Sequence, residues 1–314
     1  MTAEASAPLP IRPAATVLLV RDGTHGPEVF MVRRHEGTAF MGGAQVFPGG
    51  RVERSDEDGD ETWCDGISHA TQQLASEEPA RAIAYHVAAV RELFEEAGIL
   101  LARGQSAPDT HSSPDLVSLI DDLTSERFSR HRVAIHGGRS TIREVATSEH
   151  VRLALDVLVA FAHWVTPPGD TRRFDTRFFV TRAPALQNPK HDATETTHSV
   201  WLTARAAIEQ SMAGAIVLPP PTWTTLREIE RCRSVEEVLT EARRRVIVRR
   251  EPAILDHDGR RMLVLPGDPL HPRQTERTDA SSAADLWSRE DDAPLSETRF
   301  VLANGRWRAE RSDT

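Results

Sequence analysis

The sequence is poor in cysteine, in long apolar runs and in positive charge, and each deficit excludes a class of protein. Two cysteines among 314 residues provide neither a disulfide framework nor the ligand spacing of a zinc site. No apolar run approaches the roughly 20 residues that a membrane-spanning helix needs, so we expect no membrane partner. A formal net charge of −9 argues against nucleic acid as a partner. These deficits favour a cytoplasmic protein that acts on small molecules.

What the sequence does contain is a cluster of carboxylates with helical spacing. Glu92, Glu95 and Glu96 stand at i, i+3 and i+4, so on a helix they fall within one arc of roughly 100°. Oxygen donors of this kind suit Mg²⁺ or Mn²⁺, which proteins often share with substrate phosphates. The alternative is an ordinary solvated acidic helix end, and the cluster by itself does not decide between the two.

The residues around the cluster explain how such a helix is held. An apolar stripe runs along the face opposite the acids and consists of Ile83, Val87, Val90 and Phe94. Ser76 is the predicted N-cap, and Gly98 is the residue that ends the helix. Arg91 stands four residues before Glu95, a spacing that lets the two side chains form an ion pair.

A glycine turn upstream gives the cluster its context. Phe47-Pro48-Gly49-Gly50 reads as a strand that ends in a turn. Together with residues 91–99 it resembles the Nudix box, G-x5-E-x7-R-E-U-x-E-E-x-G-U, where U is aliphatic. Asp56 occupies the position of the first Glu of that pattern. Arg91 follows Gly50 by 41 positions instead of 14, which corresponds to an insertion of 27 residues.

An interrupted box narrows the resemblance to one subgroup. The chain resembles the peroxisomal-type Nudix coenzyme A diphosphatases, which carry a long insertion between the two halves of the box. The resemblance spans about residues 15–230, which is most of the chain. It includes the segments Trp164-Val165-Thr166-Pro167, Arg173-Phe174-Asp175-Thr176-Arg177-Phe178-Phe179 and Leu218-Pro219-Pro220-Pro221 together with Trp201.

The resemblance implies roles for the residues of the box. Glu95 and Glu96 would be the principal ligands of Mg²⁺ or Mn²⁺, and Glu92 would be a further ligand or the group that accepts a proton from water. The Gly49 carbonyl would complete the metal's ligands, and Arg91 would orient the carboxylates.

Residues outside the box must select the substrate, because the box contacts only the diphosphate and its metal. Trp164, Thr166, Arg173 and the segment Leu218-Pro219-Pro220-Pro221 are the candidates. For Trp164 the alternative is packing in the core or pocket wall, and for Arg173 it is a salt bridge to Asp175 or another acid. Glu195 is a candidate further contact for the metal or its water.

The fold class that the resemblance implies is α/β, a Nudix α/β/α sandwich around a mixed β-sheet. Residues 14–230 are predicted to form this domain, with insertions at about 57–80 and 105–150. Residues 1–13 are predicted to be a disordered leader, and residues 231–314 a C-terminal appendage with a helix and a β-hairpin. A homodimer is left open.

Composition and periodicity also predict the form of three segments around the box. The first insertion is expected to be an exposed loop beside the site, with or without a helical part, because it is rich in Asp, Glu, Gly and Ser. Leu116 to Leu123 is predicted to form a helix within the second insertion. Leu153 to Phe161 is predicted to be a strongly apolar helix that leads to Trp164.

Three functions fit these observations. The first is metal-dependent hydrolysis of the diphosphate linkage in coenzyme A or acyl-coenzyme A. The second is hydrolysis of another diphosphate, such as ADP-ribose, a dinucleotide or a nucleotide sugar. The third is a non-catalytic nucleotide-binding module, which would be expected to have lost box acids that this sequence retains.

Overall fold

The computed structural model describes residues 10–37, 41–104, 115–192, 195–272 and 298–310. The strands are β1 (Ile11–Gly23), β2 (Gly26–Arg34), β3 (Gln45–Val46), β4 (Gly49–Arg51), β5 (Cys64–Asp65), β6 (Ala102–Gly104), β7 (Val151–Ala154), β8 (Val159–Val165), β9 (Arg173–Arg182), β10 (Thr196–Thr203), β11 (Arg249–Arg250), β12 (Ala253–His257), β13 (Arg260–Val264), β14 (Arg299–Ala303) and β15 (Arg306–Glu310). The helices are α1 (Ile67–Gln73), α2 (Pro79–Ala97), α3 (Asp122–His136), α4 (Ile142–Ser148), α5 (Ala204–Met212), α6 (Pro220–Ile229) and α7 (Val235–Arg244). No helix in these described ranges is both long and apolar enough to span a membrane.

A mixed sheet forms the centre of the fold. Its order is β10-β2-β1-β9-β8-β11, with β3 and β4 added at the ends of β2 and β1. β1 runs parallel to β9 and antiparallel to β2, so both pairing types occur around one strand. β1 begins at Ile11 because its first three residues already pair with β9, from Ile11 opposite Arg173 onward. Residues 11–13, predicted as part of a disordered leader, therefore form part of this strand, while residues 1–9 lie outside the described residues.

Helices cover both faces of the sheet. The carboxylate-bearing helix α2 packs on β1 and β4, and residues of α1, α4 and α2 share one apolar cluster with that face. Helices α5, α6 and α7 contribute to a second cluster on the other face. The predicted α/β/α sandwich around a mixed sheet is confirmed.

The box helix α2 forms where its local signals place it, with one correction. Val87, Val90 and Phe94 of the predicted stripe are at most 1% exposed, and Gly98 ends the helix in a left-handed conformation at φ 70°. The helix starts later than predicted, since Glu78 is the N-cap and Pro79 follows it at the first helical position. Proline is favoured there because its missing N–H has no helical partner in any case.

The prediction of an apolar helix from Leu153 to Phe161 is wrong. The segment contains the end of β7, a 3-10 turn at Leu155–Val157 and the start of β8. All seven residues of β8 are buried, because the strand lies inside the sheet with helices on both faces. A strand buried on both faces has an unbroken run of apolar residues, as a buried helix does. The apolar pattern therefore does not distinguish a strand from a helix here. The predicted helix at Leu116 to Leu123 is also wrong, since α3 begins only at Asp122.

The first insertion is not the exposed loop predicted from its composition. Trp63, Cys64, Ala70 and Leu74 are at most 3% exposed and belong to the cluster beneath α2. β5 of this insertion pairs with β7, which follows the second insertion, and β7 also pairs with β6. The polar residues of the segment lie outward and dominate its composition. The few apolar residues that anchor it are therefore not apparent from composition.

The C-terminal residues do not pack as a separate unit beyond residue 230. Helix α7 contacts β1, β8 and β9, and β11 joins the main sheet beside β8. The predicted hairpin at Asn304-Gly305 forms between β14 and β15 and is part of a four-stranded sheet, β12-β13-β14-β15. Phe300 and Leu263 of that sheet lie in the same apolar cluster as α7.

The burial of the first insertion can be tested by stability. Trp63→Ala removes a side chain that is 3% exposed, so we expect the free energy of unfolding to fall by about 3 kcal/mol in urea denaturation. Leu123→Ala is the control, because that side chain is 78% exposed and its removal should change stability little. Equal stabilities of the two variants would contradict the packing of this insertion.

Candidate active site

One arginine joins the two halves of the box. The Arg91 side chain is 3% exposed, and its Nε and Nη2 donate to the two carboxylate oxygens of Asp56, each at 2.9 Å. Nη1 donates to Glu92 at 2.9 Å and to Glu95 at 2.7 Å, and Nη2 also donates to the Arg51 carbonyl at 2.7 Å. All five N–H groups of the guanidinium therefore have an acceptor.

Burial disfavours the charged form of Arg91, but the neighbouring Glu92, Asp56 and Glu95 outweigh this and raise its pKa above the ordinary value. The side chain is thus held as a cation among anions. It contacts Oε1 of both glutamates, which fixes their orientation and leaves Oε2 of each directed elsewhere. This geometry is that of a positioning residue, and the part that Arg91 plays in catalysis stays a prediction.

The glycine turn lies directly against the carboxylates. The Gly49 N–H donates to Oε2 of Glu96 at 2.9 Å. A Cβ on Gly49 would approach the Ala15 carbonyl oxygen to 2.4 Å, and one on Gly50 would approach Oε1 of Glu92 to 2.5 Å. Both positions therefore need glycine because the backbone passes too close to its neighbours for a side chain.

The three glutamates are too buried for the alternative of an ordinary solvated helix end. The Glu92 and Glu95 side chains are each 12% exposed, and Glu96 is 5% exposed. Burial raises the pKa of Glu92 to about 7. Burial, reinforced by the charge of Glu92, raises the pKa of Glu96 well above its usual range, and burial also raises the pKa of Glu95. Such a cluster favours a bound cation that would offset its charge.

The donor set fits a hard divalent cation. Within the described ranges, no group of three or more His, Cys, Asp or Glu side chains converges as a metal site on its own. Carboxylate oxygens are nevertheless donors that Mg²⁺ accepts, and water and substrate phosphates supply the ligands that the protein does not. Glu92, Glu95 and Glu96 would hold such an ion beside the Gly49-Gly50 turn, where a Cβ would fill the space next to Glu92.

Glu92 and Glu95 open into a cleft of about 1270 Å³, whereas Glu96 lies behind them and does not line it. The walls of the cleft come from the glycine turn, the box helix, the end of α3, the β8–β9 connection, the start of α6 and the C-terminal sheet. Glu92, Glu95 and Glu195 all line it, and the negative charge of Glu195 contributes to the raised pKa of Glu96. Glu195 thus shares the cleft with Glu92 and Glu95, and its contact with a metal or its water stays a prediction.

The three predicted substrate-binding residues also line the cleft, but with partners of their own. The Trp164 side chain is 3% exposed and packs beneath the Arg250 guanidinium, 5.2 Å from the ring centre. The Thr166 hydroxyl accepts the Phe174 N–H at 3.0 Å and so closes the turn between β8 and β9. Arg173 pairs with Glu251 at 2.6 Å.

The Arg173 ion pair bears on its predicted role. Arg173 also donates to the Thr166 carbonyl at 3.0 Å, and its side chain is only 10% exposed. The alternative of a structural salt bridge therefore holds, with Glu251 as the partner instead of Asp175. Asp175 binds His163 at 2.8 Å.

Several cleft residues have no local signal in the sequence. The second insertion carries α3 to the end of the box helix, where Arg132 donates to the Glu95 carbonyl at 2.6 Å. His136 lies 3.8 Å from Oε2 of Glu95. Exposed arginines from distant segments, Arg12 and Arg172, line the same cleft. Only the tertiary fold brings them to the box.

This combination of a sandwich fold, a glycine turn and an acidic box helix defines a hydrolase of the Nudix class. A family model for the NUDT19 Nudix domain matches residues 68–229. A solved Nudix hydrolase from Alicyclobacillus acidocaldarius has the same fold, with a TM-score of 0.57 and 24% identity over 74% of this chain and 96% of that one.

Curated relatives extend the similarity over most of the chain. An acyl-coenzyme A diphosphatase NUDT19 from Xenopus laevis is 27% identical over 295 residues, which cover 82% of this chain and 75% of the relative. The protein of the same name from Homo sapiens is 27% identical over 283 residues, or 78% and 72%. The chain belongs to the NUDT19 Nudix family and is a Nudix hydrolase.

The Arg91–Asp56 pair should be essential for stability. Asp56→Ala leaves two N–H groups of a buried guanidinium without their acceptor, so we expect the free energy of unfolding to fall by about 3 kcal/mol. Asp58→Ala, at an exposed position two residues away, should have little effect. Thermal and urea denaturation measure both, and an Asp56→Ala protein as stable as wild type would contradict this account.

The raised pKa of Glu92 makes stability depend on pH. Its pKa is about 7 when folded against 4.5 in the reference state, so the folded protein retains a proton that the unfolded chain releases. Without metal, folding therefore loses stability as pH rises from about 4.5 to 7. We expect Glu92→Gln to exceed wild type in stability by on the order of 2 kcal/mol more at pH 8 than at pH 4.5.

Urea denaturation in EDTA measures this difference. Glu126→Gln, on the exposed face of α3, is the control and should show no such pH dependence. A stability difference between Glu92→Gln and wild type that stays constant across this pH range would contradict the assigned burial effect.

Proposed function

We propose that the protein hydrolyses the diphosphate linkage of coenzyme A or acyl-coenzyme A, with Mg²⁺ or Mn²⁺ as cofactor. Water adds to one phosphorus as the bridging oxygen leaves with the other. The products would be 4′-phosphopantetheine, or its acyl form, and adenosine 3′,5′-bisphosphate. The compartment and the oligomeric state stay predictions.

One observation carries the proposal. Glu92 and Glu95, both hydrogen-bonded to Arg91, form part of the wall of a large cleft instead of an isolated acidic surface. A cleft of about 1270 Å³ exceeds the 300–1,000 Å³ typical of ligand pockets and so suits an extended substrate such as coenzyme A. The acyl-coenzyme A diphosphatases among the relatives support this choice of substrate.

The roles of the residues follow from their positions. A bound divalent ion would neutralise charge on the diphosphate and lower the pKa of coordinated water. Glu95 and Glu96 would hold that ion, and Glu92 would be a further ligand or would accept the proton of the attacking water. Arg91 keeps the carboxylates in place. The Gly49 N–H fixes Glu96, while the Gly49 carbonyl stays a proposed ligand.

Phosphate recognition would depend on arginine side chains that do not pair with the box carboxylates. Arg12, Arg51 and Arg172 are exposed residues that line the cleft. Guanidinium groups match the geometry of phosphate oxygens, so these side chains suit the diphosphate and the 3′-phosphate. Arg173 is a weaker candidate because it is paired with Glu251.

Activity on a substrate panel tests the proposal. Purified protein with Mg²⁺ or Mn²⁺ should cleave coenzyme A and acyl-coenzyme A faster than ADP-ribose, dinucleotides or nucleotide sugars, with products identified by mass. Glu95→Gln should lower kcat at least about 100-fold at saturating metal, since it removes a ligand charge. EDTA should abolish turnover in wild type.

Glu126→Gln is the matched control, because it makes the same change on an exposed helix face away from the cleft. A preference for ADP-ribose or a dinucleotide would mean that the protein hydrolyses another diphosphate instead of coenzyme A. A Glu95→Gln enzyme with wild-type activity would overturn the metal assignment, and inactivity of wild type on every diphosphate would favour a binding module.

A further inference from the structure

We propose that the C-terminal sheet, β12–β15, forms an apolar subsite of the cleft that holds the acyl chain of an acyl-coenzyme A. The inference rests on the proposed function and assigns a place to one part of its substrate. The matched family model ends at residue 229, whereas this sheet begins at Ala253, so the subsite lies outside the matched domain.

One face of the sheet carries a row of apolar residues that runs across all four strands. Ile254 pairs with Leu263, Leu263 with Phe300, and Phe300 with Ala309. Trp307 lies two residues before Ala309 on the same strand. Since side chains alternate along a strand and align across paired strands, these residues project from the same face.

That face meets the cleft. Ile254, Leu263 and Trp307 line it together with Trp164 and Phe178, and all five belong to or pack against one apolar cluster. Leu263 is 6% exposed and forms the base, whereas Ile254 and Trp307 are only half-buried. The last two residues therefore present apolar surface that a ligand could cover.

The wall is fixed to the rest of the cleft by ion pairs. Glu251, immediately before β12, binds Arg173 at 2.6 Å and Arg249 at 2.7 Å. Within the C-terminal segment, the fully buried Asp268 binds Arg299 at 2.8 Å and so holds the end of β13 to β14. The Glu251–Arg173 pair is the contact that gives the apolar face its position relative to β9.

The chemistry of the two walls differs. Carboxylates and arginines at the box would desolvate poorly beside an alkyl chain, so an acyl group would avoid that region. Apolar surface on the C-terminal sheet is the complementary environment, since each methylene removed from water favours binding. The structure thus assigns the diphosphate to the box and the acyl chain to the sheet.

Chain-length dependence tests the subsite. Trp307→Ala should lower kcat/KM for octanoyl-coenzyme A about tenfold through KM, while values for coenzyme A and acetyl-coenzyme A stay within about twofold. Ile254→Ala should act in the same direction with a smaller effect. Melting temperatures establish that each variant is folded. If Trp307→Ala does not fold, Ile254→Ala is the variant that tests the subsite.

Leu255→Ala is the matched control. Leu255 is a half-buried neighbour of Ile254, but alternation places it on the opposite face of β12, and it does not line the cleft. It should leave the chain-length preference unchanged. Equal losses on coenzyme A and octanoyl-coenzyme A in Trp307→Ala would mean that the sheet contacts the common part of the substrate, and no loss on either would exclude the subsite.

A binding measurement separates this inference from the proposed function. Calorimetry with octanoyl-pantetheine, which lacks the diphosphate, should show binding to wild type and to Glu95→Gln, weakened about tenfold in Trp307→Ala. Such binding with no hydrolysis of any coenzyme A species would retain the subsite and reject the function. Hydrolysis of coenzyme A without binding of octanoyl-pantetheine would reject the subsite and retain the function.

Discussion

Five hydrogen bonds from one buried guanidinium hold this site together. Arg91 lies on the box helix, yet its acceptors include Asp56 and the Arg51 carbonyl from the other side of the insertion. A buried guanidinium is costly unless each N–H is paired, so residues 51–56 must lie against the helix. The glycine turn at 49–50 immediately precedes them and is thereby brought to Glu92 and Glu96. The need to pair every N–H of Arg91 thus positions the box helix, the glycine turn and the cleft wall that they form.

Local signals in the sequence are sufficient for the parts of the site that lie on one element. The spacing of Glu92, Glu95 and Glu96, the apolar stripe and Gly98 together predict the box helix, and the structure has it. The glycine turn is predictable because a close approach of the backbone demands glycine. The structure has that approach at both positions, to the Ala15 carbonyl oxygen at Gly49 and to Glu92 at Gly50. The Asn304-Gly305 hairpin is predictable for a similar reason, since few residues adopt the conformations of such a turn.

Features that depend on distant partners are not predictable in this way. Arg173 pairs with Glu251, 78 positions away, and nothing near either residue indicates the other. The apolar run from Leu153 resembles a helix because burial on both sides removes the alternation that distinguishes a strand. The first insertion has the composition of an exposed loop because its polar residues outnumber the few buried ones that fix it, such as Trp63.

The small sheet β5-β7-β6 has a consequence for the order in which the protein folds. It ties the first insertion to the strand that follows the second, and Arg152 reaches Asp65 across 87 positions of chain. Closing so long a loop costs conformational entropy before its contacts form, whereas the box helix needs only neighbouring residues. The acids of the site can therefore be in place on their helix while the walls around them are still open. On a ribosome the helix would emerge complete before β7 had been synthesised.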